Sequence, residues 1–225
     1  MTHHRHSQKQ TILDKLIDAL LAQPWRDILT DLWKWGRKQL QERLPRGPYE
    51  VLEYESTLEL LDPEGKRAVF RKREKIRYLQ DNIIAYQDQA WGDGEILVNY
   101  RCTPGKPVDC YRTGHKWHML ISRQEVKNKG DIDEFNIEWE IHDGFLKPTG
   151  YWETHVTHST EQLGIEVILP IERVAKSAEL VERNGRRSRS CGIEAQTLLP
   201  DGRQLVRWSI HNPRLHETYI IQWSW

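Results

Sequence analysis

Apolar and polar residues alternate along most of this 225-residue chain, from about Pro48 to the C terminus. On a β-strand successive side chains point to opposite faces, so apolar residues spaced two apart share one face. The pattern therefore predicts strands with one buried and one solvent-facing side. Two long strands are predicted over 51–61 and 68–79, and the clearest alternating sets are Phe135, Ile137, Trp139, Ile141; Ile165, Val167, Leu169; and Tyr219, Ile221, Trp223, Trp225.

Turn-forming residues separate these strands at the short intervals that are typical of an all-β domain. Asn184-Gly185 is the strongest such signal, because both central positions of a type I′ hairpin turn need positive φ. We expect a mainly β fold, an antiparallel β-sandwich or open β-barrel of about nine to eleven strands, over residues 48–225. The other turn signals lie at Asp62-Pro63-Glu64-Gly65, Gly92-Asp93-Gly94, Thr103-Pro104-Gly105, Asn128-Lys129-Gly130 and Pro200-Asp201-Gly202.

Residues 1–47 have a different period, with apolar residues three or four apart. This spacing predicts two amphipathic helices, separated at Pro24, which cannot continue the first helix but fits the first turn of the second. Their apolar faces could pack on the β domain, bind a partner, form a homo-oligomer through residues 11–44, or lie on a membrane surface. The apolar positions are Ile12, Leu13, Leu16, Ile17, Leu20 and Leu21, then Trp25, Ile28, Leu29, Leu32, Trp33 and Leu40.

Composition excludes several functional classes. The formal net charge is +0, whereas general nucleic-acid binders carry a basic excess. No stretch is long and apolar enough to predict a transmembrane segment, and residues 1–10 lack the apolar core of a signal peptide. Three cysteines without a CxxC pair indicate reduced thiols in a cytoplasmic protein, with a Cys102–Cys110 bridge as the alternative.

Two segments have the composition of a binding site. Arg183, Arg186, Arg187 and Arg189 surround the Asn184-Gly185 turn, and the planar guanidinium suits phosphate or carboxylate groups. Residues 84–94 alternate aromatic, amide and carboxylate side chains, among them Tyr86 and Trp91, and could line a polar pocket. A solvated, charged turn and an ordinary packed hairpin are the simpler interpretations of the two segments.

The pattern His-x-Thr occurs at His155-Val156-Thr157, His158-Ser159-Thr160 and His216-Glu217-Thr218. On a strand each histidine would lie beside its threonine, on the same face. Two such pairs resemble the arrangement in 2H phosphoesterases, where one imidazole acts as general base and the other as general acid on a phosphodiester. In that family helices alternate with strands, whereas the alternating pattern of residues 48–225 predicts no such helices.

Metal ligation is not predicted, because His155 and His158 would fall on opposite faces of a strand, and no cofactor motif is present. We therefore expect a non-catalytic binding module that recognises an anionic, nucleotide-like small molecule or a protein partner, as in signalling. The alternatives are a phosphodiesterase that uses His155, Thr157, His216 and Thr218, and a carbohydrate-binding module built on tryptophans.

Overall fold

The computed structural model describes residues 47–190 and 196–225, and these residues contain no helix. They form strands joined by turns and short loops, as the alternating pattern predicts. The strands are β1 Tyr49–Leu60, β2 Arg67–Tyr78, β3 Ile83–Ala90, β4 Glu95–Thr103, β5 Lys106–Thr113, β6 Lys116–Lys127, β7 Ile132–His142, β8 Thr149–His155, β9 Thr160–Leu169, β10 Ser177–Glu182, β11 Arg187–Ser190, β12 Gln196–Leu198, β13 Gln204–His211 and β14 Thr218–Ser224.

The strands form three open sheets. A seven-stranded sheet has the order β12-β13-β9-β1-β2-β7-β4, a four-stranded sheet has the order β11-β10-β14-β8, and a three-stranded sheet has the order β3-β6-β5. The β1–β2 hairpin lies at the centre of the largest sheet. Its turn is held by the Asp62 carboxylate, which accepts hydrogen bonds from the Lys66 and Arg67 amides at 2.9 and 2.8 Å.

The inner face of the seven-stranded sheet is covered by the two smaller sheets, side by side. Against the four-stranded sheet it packs aromatic pairs such as Phe70 with Trp152, with ring centroids 4.8 Å apart. Against the three-stranded sheet, the ring of Phe135 stacks on the ring of Tyr86, with centroids 4.0 Å apart. The Arg123 guanidinium of β6 also donates to both carboxylate oxygens of Asp133 on β7, at 2.8 and 3.1 Å. The result is a two-layer β fold whose second layer is divided.

The predicted faces agree with the burial of the side chains. Phe135, Ile137, Trp139 and Ile141 are all buried, as are Ile165, Val167 and Leu169 and the trio Tyr219, Ile221 and Trp223. Strand β1 begins two residues before the predicted start and β2 ends one residue before the predicted end. Local alternation therefore identified both the strands and their inward sides.

Several finer predictions about the sheets were wrong. The described residues contain fourteen strands, more than the predicted nine to eleven. Two of the additional strands are β11 and β12, which have only four and three residues and are too short to show a clear alternating pattern. The fold is also not purely antiparallel, because β1 pairs with β9 in parallel. Each sheet is open, so the sandwich alternative describes the architecture better than the barrel.

The turn at Asn184-Gly185 also differs from the prediction. The loop has four residues, 183–186, and the positive φ of 49° falls on Arg186. The Glu217 carboxylate accepts hydrogen bonds from the Asn184 and Gly185 amides at 2.7 and 2.8 Å. These bonds join the four-residue loop to the residue that precedes β14.

Cys102 and Cys110 are both free thiols, so the alternative of a bridge between them was wrong. Cys102 pairs with Ile137 in the seven-stranded sheet, whereas Cys110 pairs with Met119 in the three-stranded sheet. The predicted helices and the oligomer contact at residues 11–44 lie outside the described residues. No helix in the described ranges has the length and apolar character needed to cross a membrane.

Candidate functional site

A polar cavity of about 90 Å³ lies where the three sheets meet. We call it the junction cavity and define it by Tyr54, Lys72, Glu74, Asp88, Thr154 and His158. It is lined by β1 and β2 of the seven-stranded sheet, by β3 on one side, and by β8 and the residues after it on the other. Strands β3 and β8 are edge strands of separate sheets, so the division of the second layer creates the cavity.

Three buried charged groups line the junction cavity. The Lys72 ammonium contacts Asp88 Oδ1 at 2.5 Å and Glu74 Oε2 at 3.0 Å, and the three residues are only 7, 3 and 5% exposed. Two carboxylates against one ammonium give a formal charge of −1. Because isolated charge is costly to bury, this surplus carboxylate favours any cation that can reach it.

Tyrosine hydroxyls complete the hydrogen bonding of this cluster. Tyr86 accepts a bond from Lys72 Nζ at 3.1 Å and donates to Glu74 Oε2 at 2.7 Å, while Tyr100 donates to Asp88 Oδ2 at 3.0 Å. Burial disfavours the charged form of Lys72, but Asp88 and Glu74 outweigh it and hold the pKa of Lys72 well above its usual value. Burial, and next the charge of Glu74, raises the pKa of Tyr86, so this phenol stays a neutral donor.

The walls of the cavity are aromatic and contain an unused hydroxyl. Burial raises the pKa of Tyr54 to about 12, and the His158 ring stacks on Tyr49 with centroids 4.2 Å apart. Thr154 is 5% exposed, and its Oγ1 makes no hydrogen bond. Thr154 is near enough to Tyr54 to favour the phenolate slightly, but no bond of normal length and angle joins the two hydroxyls. Thr154 is therefore a lining residue whose buried hydroxyl has no hydrogen-bond partner among the described residues.

The structure places Tyr86 and Trp91, the two ligand-binding residues predicted from segment 84–94, on the wall of this cavity. Trp91 Nε1 donates to Glu153 Oε1 of β8 at 2.5 Å, and the Lys116 ammonium lies 4.6 Å from the centre of the Trp91 ring. Trp91 therefore connects the end of β3 to the edge of β8.

The four predicted anion-binding arginines lie around the β10–β11 loop, and none of them lines the junction cavity. Arg183 is paired with Glu153, and Arg189 lies over the Trp208 ring at 5.7 Å, while Arg186 and Arg187 are exposed to solvent. The turn amides of Asn184 and Gly185 already bind the Glu217 carboxylate. Any anion at this loop would therefore rely on guanidinium groups alone.

The His-x-Thr residues do come together, but in a different arrangement from the predicted one. His155 is the last residue of β8 and pairs across the sheet with Thr218 of β14. Thr157 lies beyond the strand and bonds to His158 Nδ1 at 2.9 Å, while His216 precedes β14 with a φ of 64°. The rule that residues i and i+2 share a face applies within a strand, so both predicted same-strand pairs were wrong. Burial, followed by Lys116 and His216, lowers the pKa of His155.

The outer face of the seven-stranded sheet carries an ion-pair network in place of a binding patch. Acidic residues on β1 and β7 flank basic residues on β2, as in Arg73, which bonds to Glu53, Glu55 and Glu134. Two grooves on this face, of about 370 and 420 Å³, are lined by such paired charges. Within 47–190 and 196–225, no three His, Cys, Asp or Glu residues are grouped as metal ligands, and none of the seven tryptophans is in the exposed class.

Sequence reasoning missed Lys72, Glu74 and Thr154, whereas Asp88 lies within the segment 84–94 that was predicted to line a polar pocket. A usable signal was present in β2. Every second residue of this strand faces inward, and the inward set contains Lys72 and Glu74 as well as Ala68, Phe70, Ile76 and Tyr78. A lysine and a glutamate inside an apolar set indicate a buried polar cluster. No comparable signal marks Thr154, which follows from the packing of β8.

No protein-family model matches this chain, and no curated protein matches it in sequence. Solved structures resemble its fold. The M1 zinc metallopeptidase from Deinococcus radiodurans is 11% identical, with a TM-score of 0.47 over 78% of this chain and 42% of that one. A protein provisionally described as a protease, from Parabacteroides distasonis ATCC 8503, is 9% identical, with a TM-score of 0.50 over 80% of this chain and 41% of that one.

This chain spans less than half the length of those solved proteins. At 9–11% identity the likeness concerns the fold alone.

Proposed function

We propose that this chain is a non-catalytic binding module whose junction cavity binds a cationic group, carried by a small molecule or by a protein partner. The observation that supports this proposal is the surplus buried carboxylate of the Lys72–Glu74–Asp88 cluster in the lining of an accessible cavity. A primary ammonium could donate to a carboxylate and to Thr154 Oγ1, and the surrounding tyrosine faces attract cations.

The size of the cavity also bears on the ligand. A volume of about 90 Å³ suits an alkylammonium head, whereas sites for drug-sized ligands occupy roughly 300–1,000 Å³. A nucleotide-like anion therefore fits this cavity poorly, both in size and in charge. Anion binding at Arg183, Arg186, Arg187 and Arg189 stays a separate prediction, for which the exposed Arg186 and Arg187 are the available groups.

Replacing Asp88 by Asn tests the proposal, because the amide can keep both neighbours of Asp88 while the surplus charge disappears. The asparagine oxygen still accepts from Lys72, and the Tyr100 hydroxyl can rotate to accept from the amide. We expect n-butylamine and 1,5-diaminopentane to bind the wild type and to bind Asp88→Asn at least about tenfold more weakly, a loss of about 1.4 kcal/mol. The measurement is an amide-detected NMR titration that follows Thr154 and its neighbours.

Asp201→Asn is the matched control, because it removes an exposed carboxylate on the β12–β13 turn and leaves the cavity unchanged. It should bind both amines like the wild type, and 1-butanol should bind neither protein. Equal amine affinity in the wild type and Asp88→Asn would contradict the proposal, as would a butanol affinity that matches that of butylamine.

A phosphodiesterase remains the second candidate, supported by the proximity of His155 to His216 across the β8–β14 pairing. In this arrangement Thr218, opposite His155, would replace Thr157 as the neighbouring hydroxyl. Hydrolysis of cyclic or oligonucleotide phosphodiesters that disappears in His216→Ala would support this alternative.

A further inference from the structure

Strand β8 has a free edge. It pairs with β14 from Thr149 opposite Ser224 to His155 opposite Thr218, and it pairs with no other strand in residues 47–190 and 196–225. A free edge presents a row of unpaired amide and carbonyl groups, which form a template for an added strand. Its seven residues are long enough for a stable β-pairing, since strands in proteins commonly have about five or six.

Two cavities follow this edge in succession. The junction cavity lies at the end formed by residues 154–158, and an apolar cavity of about 40 Å³ lies beside residues 149–153. The second cavity is mostly apolar and is lined by Ile96, Phe145 and Trp152, with the charged residues Asp93, Lys147 and Glu153 also in its lining. Trp91 borders both cavities. Trp152 Nε1 is buried and has no hydrogen-bond partner among the described residues.

We propose that the free edge of β8 accepts an extended segment of a partner protein as an added strand, with a lysine in the junction cavity and an apolar side chain in the apolar cavity. This inference rests on the proposed function, because the surplus carboxylate selects the lysine by charge. Main-chain bonds to the edge would supply affinity, and the two cavities would supply specificity.

The two cavities set the spacing of the partner's side chains. Gly150 and Trp152 lie beside the apolar cavity, and Thr154 and Val156 lie beside the junction cavity. Each residue of the first pair is four residues before its counterpart in the second, a distance of about 13 Å at roughly 3.3 Å per residue. Side chains four residues apart on a strand point to the same side. The partner segment therefore carries its lysine and its apolar residue with three residues between them.

Capped seven-residue peptides with lysine and leucine at positions two and six, in both orders, test the proposal by NMR and calorimetric titration. The other positions are threonine or valine. In an added strand alternate amides face β8, so N-methylation of the odd-numbered residues or of the even-numbered residues should act differently. We expect one pattern to weaken binding at least tenfold and the other to leave it within about twofold.

Norleucine in place of the lysine keeps the stem and removes the charge, and it should also weaken binding at least tenfold. Equal binding of the two N-methylated peptides would overturn strand addition, and unchanged binding of the norleucine peptide would overturn the assignment of lysine to the junction cavity. If 1,5-diaminopentane binds but the peptides bind no more tightly than capped lysine, the proposed function stands and the partner segment is wrong. If neither the diamine nor the peptides bind, both proposals fail.

Discussion

At the scale of single residues, the most consequential feature is polar groups placed on inward strand positions. Lys72 and Glu74 occupy the same face of β2 as Phe70 and Ile76, and they are tolerated there because they form an ion pair with each other and hydrogen-bond to the Tyr86 hydroxyl. Glu217 is a second case, since it is 3% exposed and uses its carboxylate to hold a loop. Burial makes such groups costly to leave unpaired, so conservative substitutions at these positions should have large effects.

Glu217 offers a direct test of this view. Its Oε1 accepts from the Asn184 and Thr218 amides and its Oε2 accepts from the Gly185 amide. Glu217→Gln keeps one oxygen and should lose roughly 1–3 kcal/mol of unfolding free energy, the cost of one unsatisfied buried donor, and Glu217→Ala should lose more. Urea unfolding measures both changes. A loss below 0.5 kcal/mol in Glu217→Ala, on the order of an ordinary surface substitution, would contradict this role.

At the scale of elements, the position of a strand in its sheet, and not its position in the sequence, decides whether its main-chain groups are paired or free. β14 is the last strand in sequence but lies between β10 and β8 in the four-stranded sheet, and it buries Tyr219, Ile221 and Trp223. β8, by contrast, is an edge strand, and this difference leaves its main-chain groups open to a partner. The same local alternation thus produces a central strand in one place and a docking edge in another.

Removing residues 220–225 should abolish the fold of the described domain. The deletion removes most of β14 and with it Ile221 and Trp223, whose loss alone costs roughly 2–5 and 3–5 kcal/mol in typical cores. That sum is comparable to the whole stability of a domain, about 5–15 kcal/mol. Circular dichroism should show no cooperative thermal transition. Deletion of Trp225 alone removes a hydrogen bond to Lys147 O and a contact with Arg173. That variant should still show a cooperative thermal transition.

At the scale of the whole molecule, charge is balanced overall and unevenly distributed locally. The formal net charge is +0, and the outer face of the seven-stranded sheet pairs its charges side by side. The junction cavity is the contrasting place, where a negative charge is buried with less than full compensation. Exposed ion pairs contribute little individually, so the outer face adds solubility more than stability.

The pH dependence of stability is a property of the whole described domain. Burial lowers the pKa of both His155 and His158 below the usual 6.5, so the unfolded chain binds protons more readily than the folded one. Stability should be complete above about pH 6.5 and fall as the pH drops below it. A further loss should follow below about pH 4.5 as three glutamates with lowered pKa values become protonated. Burial raises the pKa of Glu59, but Arg71 and Arg203 together outweigh it, while Arg73 lowers the pKa of Glu134 and Asn99 lowers that of Glu140.

Urea unfolding at pH 7.5 and 5.5 measures the histidine contribution. The wild type should be less stable at pH 5.5, and the His155→Gln, His158→Gln double variant should show a smaller difference between the two pH values. His211→Gln, an exposed histidine on β13, is the matched control and should behave like the wild type. Equal stability of the wild type at both pH values would refute the assignment.

The alternation of apolar and polar residues determined, by itself, where the long strands run and which side of each faces inward, because that period is a local consequence of backbone geometry. It could not determine which strands become neighbours. The parallel pairing of β1 with β9, the division of the second layer and the free edge of β8 depend on contacts between distant segments. Lys72, Asp88 and Thr154 come from three strands and two layers, so only the tertiary structure could bring them to one cavity.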